Sequence, residues 1–569
     1  MDRDRGLRKN LTQYGDKEFS LYLRKAFIKA MGYSEEALDR PVIGVVDTGS
    51  GYNACHRNMP DLIEAVERGV MLNGAIPITF PVISLHESFA NPTSMYLRNL
   101  MALDVEEMIR AQPMDAVVLI GGCDKTVPAL LMGAASAGIP AICLVTGPMM
   151  AGSWRGERVG ACTDCRRFWA QYRAGTLDEA DIAEVSENLA PTVGTCGVMG
   201  TASTMALATE ALGMMMPGGA TAPAVSADRR RIAEQTGAQA VRMASAKLTP
   251  DKVMTRDAFE NAFRVALAAG GSTNAIIHLT AIAGRLGIKV ELDTIDRLGQ
   301  DTPVLVDLKP TGSGYMEDLH RAGGLPPLLR QMGDLIKGDC LTVTGHSLRE
   351  NLAAAPADWP QMVVRKRNDP IHASGGLVVL RGNLAPKGAV LKAAAARPDL
   401  LQHSGRAIVF DGLADLAARI DDPDLDVRAD DILVLRNAGP IGAPGMPEAG
   451  YIPIPRKLAE AGVKDMVRIS DARMSGTAFG TIVLHISPEA AIGGPLCAVQ
   501  TGDQITLDTA GRKISVDLSE QEIANRLAHS TKPDTSGLRG YARLYREEIL
   551  QAESGCDFAF CVPPTTERL

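Results

Sequence analysis

Over its first two thirds the chain repeats one theme, in which a short β-branched run ends in a glycine-rich polar turn and passes into an amphipathic or apolar stretch of helical length. Residues 41–46 run into Asp47-Thr48-Gly49, residues 116–120 into Gly121-Gly122-Cys123, and residues 141–145 into Thr146-Gly147-Pro148. Strands that alternate with helices are joined by crossovers rather than hairpins, so the expected product is a parallel sheet with helices on its faces. Ligands collect beyond the carboxyl ends of strands in such sheets, and the polar turns of all three segments would sit there together.

Beyond about Ala373 the pattern changes to closely spaced short strands, at 376–380, 407–410, 431–435, 466–469 and 481–485, separated by turn residues. That reads as a β-rich, barrel-like unit. Charged helical stretches at 520–527 and 538–552 close the chain, and residues 355–370, with Pro, Asp and Trp, suit a linker. A chain of 569 residues exceeds what one ordinary core serves. The expected fold is therefore α/β: a domain over 1–370 with parallel sheets flanked by helices, then a β-barrel-like domain with C-terminal helices over 371–569.

A net charge of −8 provides no footprint for nucleic acid or an anionic membrane, so the expected partner is a small molecule. An anionic substrate would then need a local metal or buried cations. No run of about 18 apolar residues occurs, and the charged start, residues 1–13, lacks a signal-peptide core, which points to a cytoplasmic location. The ten cysteines accordingly read as thiols, metal ligands or core residues rather than a disulfide framework. The phosphate-binding Gly-x-x-x-x-Gly-Lys-Ser/Thr loop, the His-Glu-x-x-His zinc helix and a well-placed Gly-x-Gly-x-x-Gly are all missing, which removes the best support for phosphoryl and hydride transfer.

Three cysteines stand in separate glycine-bearing turns: Cys55 in Gly51-Tyr52-Asn53-Ala54-Cys55-His56, Cys123 in Gly121-Gly122-Cys123-Asp124-Lys125-Thr126, and Cys196 in Gly194-Thr195-Cys196-Gly197. Thiolates from distant loops can converge on an iron–sulfur cluster, and three leave one iron position open for a substrate oxygen; unrelated buried thiols are the alternative. Glu87, Asp124 and Glu448 carry hard oxygen ligands suited to Mg²⁺, or are solvated loop carboxylates. Lys125 is either a cation for a substrate carboxylate or a modified side chain. Ser475, in Ser470-Asp471-Ala472-Arg473-Met474-Ser475-Gly476-Thr477, can act as nucleophile or base, or simply cap its own turn. No Gly-x-Ser-x-Gly elbow surrounds it, which argues against an α/β-hydrolase. Cys162-Thr163-Asp164-Cys165 lacks a second pair for zinc and reads as an incidental pair, or as a redox or substrate-loop element.

Segments 121–125, 191–197, 270–275, 323–326, 382–388, 439–448 and 470–480, spread in order over nearly the whole chain, together resemble the dihydroxy-acid and phosphogluconate dehydratase family. The resemblance implies that Cys55, Cys123 and Cys196 hold the cluster and that Glu87, Asp124 and Glu448 bind magnesium. Lys125 matches a lysine that can be carbamylated to supply another oxygen ligand, and Ser475 matches the proposed base. Thr477 is expected to bind substrate, its backbone N–H with that of Gly476 helping to stabilise a serine alkoxide. The implied cluster is [2Fe–2S], with [4Fe–4S] as the alternative, and the implied assembly is a homodimer or homotetramer.

Residues 473–480 and 484–491, with 539–545 and 555–558, look more like the family's sugar-acid branch than its branched-chain amino-acid enzyme. The expected activity is a hydro-lyase reaction that takes the C2 proton and 3-hydroxyl from a polyhydroxy carboxylate, an aldonate, to give a 2-keto-3-deoxy acid. The alternatives are dehydration of 2,3-dihydroxyisovalerate in branched-chain amino-acid synthesis and, from another class, a non-catalytic iron–sulfur sensor. Cys162-Thr163-Asp164-Cys165 departs from the arabinonate and xylonate enzymes of the branch, so the resemblance does not name a sugar acid.

Overall fold

The structure, a computed structural model, describes residues 5–11, 14–529 and 537–569. Of the charged opening stretch, residues 1–4 and 12–13 lie outside the described residues. Strands β1 (Val42–Asp47), β2 (Ile76–Pro81), β3 (Ala116–Gly121) and β4 (Ala141–Val145) form an all-parallel sheet in the order β2-β1-β3-β4. Helices α1 (Met59–Leu72), α2 (Ser94–Ala111) and α3 (Thr126–Ala137) supply the crossovers. β3 and β4 are buried at every position, as parallel strands covered on both faces must be. β2 escapes the sequence pattern because Pro77 and Pro81 interrupt it; it lies at the sheet edge, where a missing backbone donor is tolerated.

Among the helices that follow in this region are α4 (Thr201–Ala211), α5 (Ala227–Ala246), α6 (Arg256–Ala268) and α7 (Asn274–Arg285). α4 is buried all round, which explains why it is rich in Ala and Thr and shows no polar face. α1 and α5 meet backbone to backbone. A Cβ on Gly69 would stand 2.0 Å from the Glu234 carbonyl oxygen, and one on Gly237 would stand 2.2 Å from that of Val66.

The later strands close into a barrel of β5 (Val378–Gly382), β6 (Ala385–Leu391), β7 (Gln402–Asp411), β8 (Ile432–Arg436), β9 (Arg468–Ser470), β10 (Ile482–Ser487), β11 (Gln504–Asp508) and β12 (Lys513–Val516). Its circular order is β7-β8-β9-β10-β6-β5-β12-β11, parallel from β7 through β10 and mixed elsewhere. In β7 and β8 alternate residues enter different cores: Ala407, Val409, Ile432 and Val434 pack in one, Ile408, Phe410, Leu433 and Leu435 in the other. Burial on both faces accounts for their unbroken apolar runs. Within 355–370, Val364 bridges Val306 and the Arg365 N–H donates to the Leu305 carbonyl at 2.7 Å, so this stretch is tied to what precedes it.

The closing helices are Glu520–Ala528 and Gly540–Glu548, the second shorter than the expected 538–552. After it, Ile549 bridges Phe558. Arg285 and Asp557, both fully buried, form an ion pair at 2.5 Å that fastens this tail to α7. The Tyr545 hydroxyl accepts from the Gly445 N–H at 3.0 Å and so braces the loop that carries Glu448.

Candidate active site

Cys55 follows β1, His86 and Glu87 follow β2, and Cys123, Asp124 and Lys125 follow β3. Three neighbouring parallel strands thus deliver thiols, a histidine, carboxylates and a cation to one edge. Cys55, His86 and Cys123 place their ligand atoms within 4.8 Å of one another. The Asn53 side chain accepts from the Cys55 N–H at 3.1 Å and donates to the Leu85 carbonyl at 2.9 Å, locking the turns after β1 and β2 together. His56 does the same for β1 and β3. Its Nδ1 faces the Thr48 carbonyl at 2.8 Å, and its Nε2 accepts from the N–H groups of Gly122 and Cys123 at 2.9 and 3.0 Å. Burial brings His56 down to about 4, and a ring accepting two N–H bonds at Nε2 must be neutral there.

The neighbouring Cys55 and Cys123 thiols interact, which lowers the Cys55 pKa and raises that of Cys123. The Cys55 contact in turn raises His86. Cys196 lies on the loop whose Thr195 bridges Pro148 beyond β4, and its Sγ stands 3.1 Å from that of Cys162. All ten cysteines are free thiols. The soft-donor set of Cys55 and Cys123, with Cys196 on the next strand-end loop, fits an iron–sulfur centre chemically.

A second group lies alongside. Carboxylate oxygens of Glu87, Asp124 and Glu448 come within 4.8 Å of one another. Two fully buried cations compensate them. Lys125 Nζ hydrogen-bonds Asp124 and lies 3.8 Å from Glu87, while Arg473 reaches Glu448 at 2.5 Å and Glu87 at 3.0 Å. Burial opposes charge on Glu87, yet Arg473, Lys125 and hydrogen bonds from Ser94 and Thr93 hold its carboxyl below the ordinary range. Glu448 is raised, by burial first and by its acidic neighbours, with Arg473 opposing. Three carboxylates against two cations leave one negative charge in excess, so a divalent cation fits this donor set.

The turn bearing Ser475 connects β9 and β10 and comes down on these groups from the barrel. Ser475 is half-buried, its Oγ 2.8 Å from Thr477 Oγ1 and 3.4 Å from the Thr477 N–H. Gly476 permits the approach: a Cβ there would stand 2.5 Å from Ser272 Cβ and 2.9 Å from Thr201 N. Below the turn, Lys392 Nζ faces the Gly476 carbonyl at 3.4 Å, and burial lowers that amine to about 7. Asn274, from the Gly270-Gly271-Ser272-Thr273-Asn274 loop, bonds Thr201 Oγ1 at 3.2 Å and Glu448 at 3.4 Å.

The chain matches the description "Dihydroxy-acid/6-phosphogluconate dehydratase" in two parts, N-terminal over residues 40–351 and C-terminal over 362–556. It belongs to that dehydratase family. Its similarity to L-arabinonate dehydratase of Rhizobium leguminosarum is 46% identity over 550 residues, 96% of this chain and 95% of that one. With 6-deoxy-6-sulfo-D-gluconate dehydratase of Pseudomonas putida it shares 44% over 530 residues, 92% and 91% of the two chains. Dihydroxy-acid dehydratase of Desulfosudis oleivorans is 38% identical over 546 residues, 94% and 97%. As a member of this family the chain is a hydro-lyase.

Within this site the structure brings Glu87, Asp124, Lys125 and Glu448 together, pairs Cys55 with Cys123, and sets Ser475 against Thr477. Cys196 falls outside the 4.8 Å group of Cys55 and Cys123 and meets Cys162 instead. Sequence reasoning passes over His56, His86, Arg473 and Lys392. His56 and Arg473 stand inside quoted motifs, so position beside Cys55 and Ser475 is the signal that points to them.

Proposed function

We propose that this hydro-lyase converts a sugar acid, an aldonate, to its 2-keto-3-deoxy acid, with Ser475 as the base at C2. The observation that carries the reading is the juxtaposition of a half-buried serine with one soft-donor and one hard-donor group in a single site. Greater identity to relatives named for sugar acids, 44–46%, than to one named for a dihydroxy acid, 38%, favours the aldonate over 2,3-dihydroxyisovalerate. A non-catalytic sensor would need thiols alone, and the carboxylates, Lys125 and Ser475 speak against it.

In this reading Cys55, Cys123 and Cys196 hold the iron–sulfur cluster, and Glu87, Asp124 and Glu448 hold Mg²⁺, with Lys125 as a further ligand when carbamylated. Bound there, the two centres supply Lewis acidity toward the carboxylate end of the substrate and the departing 3-hydroxyl. Ser475 Oγ takes the C2 proton. An unperturbed hydroxyl is far too weak a base at neutral pH, and each unit of depression requires about 1.4 kcal/mol of differential stabilisation. Thr477 contributes through its hydroxyl and its N–H, both aimed at Ser475 Oγ. Thr477 also carries the substrate-facing role, and Lys392 supports the turn from behind through the Gly476 carbonyl. The enzyme works in the cytoplasm as a homodimer or homotetramer, with residues 1–370 and 371–569 as its two domains.

The test is an anaerobic substrate panel of pentonates, hexonates, 6-deoxy-6-sulfogluconate and 2,3-dihydroxyisovalerate with Mg²⁺ present, the keto-acid product trapped as its semicarbazone. Turnover highest on an aldonate is expected. Clear preference for 2,3-dihydroxyisovalerate overturns the substrate assignment, and a cluster-loaded protein inert on every acid overturns the catalytic one.

A further inference from the structure

We propose that Arg166 binds a second anionic group at the far end of the substrate, so that the acid this enzyme takes is charged at both ends, with a carboxylate or sulfonate on its terminal carbon. The inference rests on the sugar-acid reading above and deepens it to a substrate class. Its basis is an arginine beside the catalytic turn that has no carboxylate partner. Among the described residues the Arg166 guanidinium forms no ion pair and donates no hydrogen bond, and its Nε is buried without an acceptor.

The cations around it are compensated. On the same helix, Thr163–Arg173, Arg167 meets Glu157 at 2.6 Å and Asp164 at 3.0 Å, and Arg173 meets Asp421 at 2.6 Å. Lys309 pairs with Asp164 at 3.0 Å, and Arg468, which shares the Tyr451 ring with Arg166, meets Asp465 at 2.5 Å. Arg167 and Lys309 thus balance Glu157 and Asp164, and the positive charge of Arg166 is left over. A buried donor without an acceptor is costly, and a guanidinium over an aromatic face keeps its in-plane N–H groups for an anion. A lone guanidinium balances one negative charge. A carboxylate or sulfonate therefore suits it better than a phosphate, which carries about 1.5–2.

Arg166 also stands where the far end of such an acid has room. Thr163, one helical turn before it, donates to the Thr477 carbonyl at 3.1 Å, in the turn of Ser475. The guanidinium lies 4.8 Å from the centre of the Tyr451 ring, and that ring meets Phe479 edge-on at 6.2 Å. Tyr451 directly follows the short helix Glu448–Gly450, and Phe479 belongs to the same turn as Ser475. Ser475, Tyr451, Phe479 and Arg166 are all partly exposed, whereas Met474, Gly476, Thr477 and Ala478 are buried, and Gly476 backs onto Ser272 and Thr201. An acid held by its carboxylate at Glu87, Asp124 and Glu448, with C2 at Ser475, extends its remaining carbons along this open side toward Arg166.

Acids matched at every centre except the terminal carbon provide the test: gluconate with glucarate, galactonate with galactarate, arabinonate with arabinarate, and gluconate again with 6-deoxy-6-sulfogluconate and 6-phosphogluconate. Steady-state kcat and KM are measured anaerobically on cluster-loaded wild type, Arg166→Gln and Arg166→Lys with Mg²⁺ present, the keto acid being trapped as its semicarbazone. In the series turned over best, wild type should favour the carboxylate- or sulfonate-ended acid over the neutral one by about 10- to 100-fold in kcat/KM, mainly through KM. Arg166→Gln should bring that ratio near one, and Arg166→Lys, which keeps the charge without the planar fork, should fall between. A merely structural arginine would lower both members of a pair alike. An unchanged ratio in Arg166→Gln therefore overturns the proposal, as does a wild type that fails to favour the charged acid or that favours 6-phosphogluconate over both others. If Arg166→Gln does not fold, an Arg166→Lys ratio equal to that of wild type overturns it instead. Failure of the sugar-acid reading looks different: 2,3-dihydroxyisovalerate is then turned over and no member of any pair is. A neutral aldonate preferred by wild type leaves that reading standing and removes Arg166 alone.

Discussion

Arg473→Met removes a charge from the centre of the site at little cost in volume. The fully buried guanidinium reaches Glu448 at 2.5 Å, Glu87 at 3.0 Å and Thr93 Oγ1 at 2.8 Å. Without it, Glu87, Asp124 and Glu448 face Lys125 alone. Breaking one side of a buried ion pair costs about 3–5 kcal/mol, because the partner's charge stays out of water. Glu448, whose pKa burial already raises, can take up a proton and return part of that. Magnesium should change the balance further. Arg473 repels a cation bound by the same carboxylates, so Mg²⁺ should bind the variant more tightly, and each tenfold gain in affinity stabilises it by about 1.4 kcal/mol relative to wild type. Urea unfolding followed by tryptophan fluorescence, in EDTA and again in saturating Mg²⁺, measures both effects. A loss below about 1 kcal/mol in EDTA, or a gap that widens with Mg²⁺, refutes the electrostatic account.

Ser475→Ala should cost about 10²–10⁴ in kcat with iron and magnesium contents unchanged, whereas Thr477→Val, which keeps the serine and the N–H, should cost less; steady-state kinetics beside metal analysis separates the two. Gly122→Ala would put a Cβ 1.8 Å from Thr146 Oγ1, so the turn carrying Cys123 must move, at about 1–3 kcal/mol or more, with iron retention falling alongside thermal stability. Lys392→Met gives a pH signature. The folded amine titrates at about 7 against an ordinary 10.5, so between those values the unfolded chain binds more protons and stability rises with pH. Its contribution is complete above pH 10.5 and lost as pH falls toward 7. The variant should therefore be more stable than wild type at pH 7, by on the order of 1–4 kcal/mol, and its advantage should fade toward pH 10.5. A difference independent of pH in paired urea titrations contradicts the assignment.

What is legible in the sequence follows from the range over which each signal acts. β1, β3 and β4 are read directly because strands covered on both faces must be apolar at every position. β6 is obscured by Pro386, Lys387 and Gly388, and β11 and β12 alternate buried with exposed residues over only a few positions, too few to stand out from loop sequence. The thiols, carboxylates and serine can be picked out because each stands in a distinctive turn, and the parallel topology explains why turns after β1, β2 and β3 converge. The cations cannot be found that way. Arg473 and Glu87 are 386 positions apart, so no local window holds both, and an arginine in a loop is ordinarily a solvated one. Its role appears only when the barrel turn is set over the sheet edge. The neighbour of Cys196 is hidden for the same reason. Cys162 lies 34 positions away, on the far side of two helices, and a Cys-x-x-Cys spacing directs attention to Cys165. Local spacing offers Cys165 alone as a neighbour of Cys162, whereas the fold adds Cys196, so a contact between a strand-end loop and the Cys-x-x-Cys segment appears only once the chain is folded.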